Sequence, residues 1–225
     1  MGQNEPLFKA YQAITESPAY ATLAPAQKKA LENSLRDFKL SGIDLDDAKK
    51  ARYKEISLEL SRLSSKYEEN LLDATNAWQK LITDPEQLKG LPASALAQAK
   101  QAAEAENLDG WLINLQFPSY LAVMTYADNR ELRQEHYTAF VTRASDQGPN
   151  AGQWDNTEIM EQTMALRHEK AQLLGYRNFA ELSLATKMAE KPEDVVGFLE
   201  TLAHKSLPQA HKDIQDLREF ARAEH

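Results

Sequence analysis

Apolar residues recur at helical spacing along most of the chain, and the longest such pattern runs from residue 46 to residue 74, where Gly and Pro are both absent. Successive spacings of three and four residues place its apolar members on one stripe of a long amphipathic helix. The stripe fits either a coiled coil or packing against neighbouring helices of the same domain, and we favour the second. Its members are Ile56, Leu60, Leu63, Tyr67, Leu71 and Ala74.

Shorter helices are predicted on both sides of this one. Pro18 ends the first helix, and Gly42 ends the helix that starts near Pro25. The D-x-x-E sequences beginning at Asp128 and Asp155 predict helix starts with the aspartate as the capping residue. Pro208 is expected to separate the last two helices. The predicted ranges are 5–16, 25–41, 93–106, 118–127, a helix after 128, 155–174, 179–189, 192–206 and 208 to the end.

Two short segments alternate between apolar and polar residues instead. In the second, Trp111, Ile113, Leu115 and Phe117 recur with a period of two. We therefore predict an antiparallel pair formed by about 77–83 with 111–117. The predicted fold class is mainly α, a multi-helix bundle-like domain with one short β-hairpin. No Pro-, Gly- or Ser-rich linker divides the chain, so we expect a single helical segment over 1–225.

Composition narrows the function classes. The net charge of −8 repels phosphate backbones, which argues against nucleic acid as a partner. No apolar run is long enough to span a membrane, and the first residues lack the basic and apolar regions of a signal peptide. The absence of cysteine excludes disulfides and thiolate metal sites, and fits a reducing, cytoplasmic compartment.

The only approach to a zinc motif is the pair His168–Glu169. A zinc peptidase helix needs a second histidine four residues after the first, so that both imidazoles reach one metal from the same face. That position holds Gln172. We therefore expect no zinc site here and interpret the pair as an ordinary surface His–Glu pair.

The remaining candidates for chemistry are weaker. Glu200, His204 and His211 share a face only if the helix continues through Pro208, and no histidine stands three residues after a glutamate, as a di-iron bundle requires. There is no nucleophile elbow and no cysteine, so no nucleophile is assigned.

Loop and aromatic residues are interpreted as structural. The loop 148–152 lacks the phosphate-binding motif and is interpreted as a turn, which an Arg143–Asp146 ion pair would hold. The aromatic residues Trp78, Trp111, Trp154 and Tyr126 are interpreted as core or interface anchors. We assign no catalytic or metal-binding residue to this chain, and substrate-binding residues stay unassigned.

A series of segments along almost the whole chain resembles the zinc oligopeptidases of the thimet oligopeptidase and oligopeptidase A family. None of the segments is a catalytic motif, but they occur in family order. They are 26–30, 35–38, 40–43, 72–75, 118–121, 123–126, 142–152, 165–169, 173–176 and 184–189.

The resemblance implies a larger cytoplasmic metalloendopeptidase of which this chain is an internal segment of the N-terminal half, with polypeptide on both sides. It implies Zn²⁺ held by an H-E-x-x-H helix and a third Glu, all in a C-terminal catalytic lobe that follows this chain. It also implies short peptide substrates, taken into a channel between two mostly helical lobes. This segment would supply scaffold and channel wall, and would be inactive by itself.

The end of the chain bears on a rival interpretation. Residues 221–225 contain no helix stop signal, as if the last helix continued. We therefore expect an exposed apolar surface or self-association where the rest of the protein is missing. The alternative is a stand-alone helical protein-interaction module that uses the long helix as its partner surface. A metal-carboxylate bundle enzyme is disfavoured because the E-x-x-H pairs are absent.

Overall fold

The computed structural model describes residues 4–224, and this part of the chain is mainly α-helical. It contains ten α-helices, one two-stranded sheet and one 3₁₀ helix, Pro85–Leu88. The prediction of a mainly α fold is confirmed. The elements are α1 (Glu5–Glu16), α2 (Ala19–Thr22), α3 (Pro25–Leu40), α4 (Asp47–Ala77), β1 (Gln79–Ile82), α5 (Ala93–Ala105), β2 (Trp111–Asn114), α6 (Phe117–Tyr126), α7 (Arg130–Val141), α8 (Thr157–Leu173), α9 (Phe179–Leu184) and α10 (Pro192–Glu224).

The predicted hairpin is present. Strands β1 and β2 pair antiparallel, with Gln79 opposite Asn114 and Ile82 opposite Trp111. Both strands are shorter than predicted. Strand β2 cannot extend to residue 117, because α6 already begins at Phe117. Pro118 explains this difference, since proline is well suited to the first turn of a helix. The side chain of Phe117 is 63% exposed, so the alternation does not reach a buried position there.

One predicted helix cap is shifted, and the other accepts a different N–H group from the one expected. The N-cap of α7 is Asn129 rather than Asp128, and the Asn129 side chain accepts the Leu132 N–H at 3.1 Å. Before α8, the Asp155 carboxylate accepts the N–H of Thr157 at 2.9 Å, so it does not serve Glu158. In both places the residue directly before the helix is an asparagine, which the D-x-x-E spacing overlooks.

The C-terminal helices also differ from prediction. Helix α9 ends at Leu184 instead of residue 189, and Met188 beyond it is fully exposed with nothing to pack against. The predicted break at Pro208 is wrong, because α10 runs through it without interruption. A proline inside a helix costs the hydrogen bond to the residue four positions earlier, here the carbonyl of His204. On a 3.6-residue helix, Pro208 lies opposite Leu199 and Leu217, so the affected turn lies on the polar side, where water can satisfy the carbonyl. The short helix α2 was not predicted.

The described residues form two compact units. Unit 1 consists of the described residues up to Ile56 together with those from Leu166 onward, and unit 2 consists of Ser57–Ala165. Both boundaries fall inside helices, α4 and α8, which explains why no linker composition marks them in the sequence. The prediction of one undivided segment was made from that missing signal.

Each unit has its own hydrophobic core. In unit 1, Phe8, Phe38 and Ile43 are buried and Tyr11 and Leu35 pack against them. The larger core of unit 2 is built around the hairpin and helices α5 to α7. Its buried members are Trp78, Ile82, Leu88, Leu91, Ala99, Ile113, Leu115, Val123, Ala127, Leu132 and Ala139. Within residues 4–224, no helix is long and apolar enough to cross a bilayer.

Candidate functional site

The glutamate of the His168–Glu169 pair is engaged by an arginine. Both Glu169 oxygens accept the Arg52 guanidinium, at 2.6 Å from Nε and 2.7 Å from Nη2. This bidentate bond lowers the pKa of the Glu169 carboxyl. Glu169 therefore ties α8 to α4 within unit 1, while His168 and Gln172 lie exposed. Glu169 is thus occupied by Arg52, and the position one turn after His168 holds Gln172 instead of a second histidine.

The second candidate set, Glu200, His204 and His211, lies on one side of α10. Because the helix continues through Pro208, all three share its polar face. His204 and His211 are nevertheless seven residues apart, about 10 Å along the axis, which is too far for one ion. Across the part of the chain that the structure describes, no group of three His, Asp or Glu side chains is arranged to hold a metal.

The loop between α7 and α8 is closed by its own hydrogen bonds. Its N–H groups point inward, from Gly152 to the Ser145 carbonyl at 3.0 Å and from Ala151 to the Gly148 carbonyl at 3.3 Å. A Cβ on Gly148 would lie 1.9 Å from the Thr142 hydroxyl, so the loop packs directly against the end of α7. These bonds support the interpretation as a structural turn rather than an anion cradle.

The predicted Arg143–Asp146 ion pair is wrong. Arg143 donates to the Thr75 hydroxyl at 2.9 Å and to the Phe140 carbonyl at 2.8 Å. Its guanidinium also lies over the Phe140 ring, 3.7 Å from the centroid. Arg143 therefore connects the loop to α4 and α7, and Asp146 stays exposed.

Arg143 is the end of a ladder of stacked rings that crosses unit 2. The Phe140 ring stacks on Tyr120 at 3.8 Å, and Tyr120 meets the edge of His136 at 5.5 Å. His136 in turn stacks on Trp78 at 5.1 Å. This ring ladder, Trp78–His136–Tyr120–Phe140–Arg143, joins the residue before β1 to α6, α7 and the loop. Trp78 is thus a core anchor, as predicted, whereas Tyr126 is 53% exposed.

His136 is the one fully buried histidine among the described residues. Its Nε2 lies 2.8 Å from the Asn114 carbonyl. A carbonyl only accepts, so Nε2 carries the proton and Nδ1 is the acceptor. Nδ1 is buried and has no partner within residues 4–224. Burial lowers the pKa of His136, although the Asn114 carbonyl and the Glu135 carboxylate act in the opposite direction. Because its ring is fully buried between Trp78 and Tyr120, His136 packs as a structural element at the centre of the ladder.

The depressed pKa of His136 predicts acid sensitivity of unit 2. The unfolded chain protonates histidine near pH 6.5, whereas the folded state resists protonation to lower pH. The contribution of neutral His136 to the free energy of unfolding is therefore fully present above about pH 6.5, and it is lost as the pH drops below that value. We expect the urea midpoint to fall between about pH 7.5 and 5.5, and to fall less in His136→Phe, which keeps the ring stacking. Equal slopes for both proteins would contradict this account.

Unit 2 contains a small pocket between α5, β2 and α6. Its volume is about 150 Å³, and no titratable side chain lines it. The Asn114 N–H at its edge is already bonded to the Ser119 hydroxyl at 3.2 Å. The pocket offers space for an apolar group, and its one hydroxyl, that of Ser119, has no acid or base beside it in the lining. Apolar lining residues include Ala95, Ala99, Ala102, Leu112, Ala122 and Val123.

A buried amide pair fixes the start of α8. The side-chain amide of Asn70 donates to the side-chain oxygen of Asn156 at 2.9 Å. The side-chain amide of Asn156 donates in turn to the Tyr67 backbone carbonyl at 3.2 Å. Both asparagines are buried, whereas Tyr67, which the apolar stripe of α4 includes, is 38% exposed. The buried seam of α4 in unit 2 is therefore Leu63, Asn70 and Ala74 rather than the predicted stripe alone.

Comparison with known proteins finds two matching domain families. Residues 123–225 match the model of Peptidase family M3, and residues 1–50 match that of the neurolysin/thimet oligopeptidase N-terminal domain. The chain therefore contains regions similar to both of these peptidase domains. It is 57% identical over 224 residues to oligopeptidase A of Escherichia coli (strain K12), covering 100% of this chain and 33% of that protein.

Further relatives agree. Oligopeptidase A of Haemophilus influenzae is 52% identical over 224 residues, again 100% of this chain and 33% of the relative. A probable cytosolic oligopeptidase A of Arabidopsis thaliana is 45% identical over 231 residues, 99% of this chain and 32% of the relative. The chain spans about a third of the length of these curated relatives, and it corresponds to their N-terminal third.

Proposed function

We propose that this chain is the helical scaffold and part of the channel wall of a zinc-dependent metallo-oligopeptidase that hydrolyses short peptides. The observation that carries the proposal is the 57% identity to oligopeptidase A along the whole chain, combined with coverage of only a third of that protein. The proposed place of action is the cytoplasm, which the similarity to a probable cytosolic oligopeptidase A supports.

The catalytic chemistry is proposed to lie outside these 225 residues. The one partial zinc motif has Gln172 where a ligand is needed, and its Glu169 is bound to Arg52. Zinc, when bound by the whole protein, supplies a Lewis acid and an activated water. This chain contributes packed helices and no acid, base or ligand to that centre.

The proposal predicts a division of activity between the chain and the whole protein. The full-length gene product is expected to cleave a quenched fluorescent peptide and to lose that activity with a zinc chelator. The 225-residue chain is expected to show no cleavage above the buffer rate, with or without added zinc. Cleavage by the chain alone would contradict the proposal.

A matched variant tests the failed motif. His168→Gln in the full-length protein removes the first residue of the H-E pair and is expected to change kcat/KM by less than about twofold, because His168 contacts no metal. A loss of several orders of magnitude would instead make His168 part of the catalytic centre.

A further inference from the structure

Helix α10 presents a long apolar face that nothing in the described residues covers. The helix has 33 residues, so it is about 50 Å long. Eight of its large apolar side chains are between 49% and 66% exposed, which is far more than isolated surface positions account for. They are Val196, Phe198, Leu199, Leu202, Leu207, Ile214, Leu217 and Phe220.

Most of these side chains share one direction. Residues 18 apart are separated by five full turns and lie above one another. Leu199 and Leu217 form such a pair at the centre of the face. Val196 with Ile214 flanks it on one side, and Leu202 with Phe220 on the other, each about 60° away. We call these six residues the α10 face.

The opposite side of α10 is polar and carries the proline. Thr201, Gln215 and Glu219 lie there, and Pro208 lies directly opposite the centre of the α10 face. The turn that Pro208 weakens is therefore on the side that water reaches. Between its large residues the apolar side carries Ala203 and Ala210 together with Ser206 and Asp213, so the large apolar side chains form two clusters, one in each half of the helix.

We propose that the α10 face is the docking surface for the polypeptide that follows this segment in the full-length protein. The relatives are about three times as long as this chain, and the match to Peptidase family M3 includes the whole of α10. The occupant is thus joined to the helix that it covers. This inference rests on the proposed function, because both require a longer protein.

Covalent connection decides between this occupant and a second copy of the chain. A tethered partner acts at an effective concentration of the order of millimolar, above the concentration at which a free copy is met in dilute solution. The occupant is expected to offer apolar faces of helices, since the α10 face has no run of charge for an ionic partner to read.

The test compares hydrogen exchange of residues 192–224 in the full-length protein and in the 225-residue chain. In the full-length protein we expect these amides to exchange at least about tenfold more slowly than in the chain, because covering the face opposes local opening. Equal exchange in both proteins, with the full-length protein active, would overturn the docking proposal and leave the proposed function intact. Slow exchange in an inactive full-length protein without zinc would support docking and sink the proposed function.

Variants locate the contact. Leu199→Asp with Leu217→Asp places two charges at the centre of the α10 face, and Thr201→Asp with Gln215→Asp places two on the opposite side of the same helix. In the full-length protein, the first pair is expected to abolish the extra protection of 192–224, and the second pair to leave it unchanged. Equal effects of both pairs would overturn the proposal. A dimer of the chain that the first pair dissociates, with no extra protection in the full-length protein, would assign the face to a second copy instead.

Discussion

Replacing Trp78 with alanine is expected to lower the free energy of unfolding of unit 2 by about 3–5 kcal/mol. Trp78 is buried in the core and stacks on His136 at 5.1 Å. The substitution removes the ring at one end of the ring ladder and leaves a cavity that the rigid hairpin beside it cannot close. Urea unfolding followed by circular dichroism measures the change.

Phe117→Ala is the matched control for this prediction. It removes another large aromatic side chain of unit 2, but one that is 63% exposed at the start of α6. The expected cost is below about 1 kcal/mol, because little burial is lost. A similar cost for both substitutions would mean that the burial of Trp78 does not stabilise the fold as described.

Replacing Gly90 with alanine is expected to destabilise unit 2 by about 2–5 kcal/mol, from left-handed strain of about 1–2 and overpacking of about 1–3. Gly90 has a φ of 90°, and an added Cβ would lie 2.2 Å from the Tyr126 carbonyl oxygen and 2.8 Å from an Asp128 carboxylate oxygen. The Tyr126 oxygen is a backbone atom, and it lies in a turn where the Asp128 N–H donates to the Lys89 carbonyl at 2.8 Å. The turn cannot move without losing that bond.

Gly152→Ala separates the two contributions. Gly152 also has a positive φ, 74°, but an added Cβ would meet no atom within 4 Å. It is therefore expected to cost only the conformational strain, about 1–2 kcal/mol. The urea midpoints of both variants can be followed by tryptophan fluorescence, because Trp78, Trp111 and Trp154 all belong to unit 2. A smaller effect at Gly90 than at Gly152 would contradict the close approach.

Local patterns predicted the regular elements of this chain well. The bounds of α1, α3 and α4 and the pairing of the hairpin follow from apolar spacing, Pro25 and Gly42, which act within a few residues of themselves. The same reasoning placed the cap of α7 one residue too early, because asparagine and aspartate are equally good caps and only the backbone decides between neighbours.

Features that depend on distant contacts were not predictable from spacing. Asn70 interrupts the apolar stripe of α4, yet it is buried because Asn156, 86 residues away, completes its hydrogen bond. Arg143 pairs with Thr75 rather than the nearby Asp146 for the same reason. His136 lies in the helix predicted after residue 128, but its stack with Trp78 and Tyr120 depends on distant contacts that spacing does not show.

The zinc motif is incomplete in the sequence, because Gln172 stands where the second histidine ligand would be. In the fold, Arg52 in addition bonds the carboxylate of Glu169. Sequence reasoning did not foresee that arginine, which comes from a helix more than 100 residues earlier. The continuity of α10 through Pro208 was likewise missed, because a proline in the middle of a pattern usually ends a helix.

The central claim is that this chain holds no zinc and that the metal belongs to polypeptide outside it. The most direct measurement is the zinc content of the purified 225-residue chain after equilibration with a slight excess of zinc and removal of free metal, beside the full-length protein treated in the same way. We predict about one zinc per full-length molecule and far less than one per chain. One tightly held zinc ion per 225-residue chain would contradict the account.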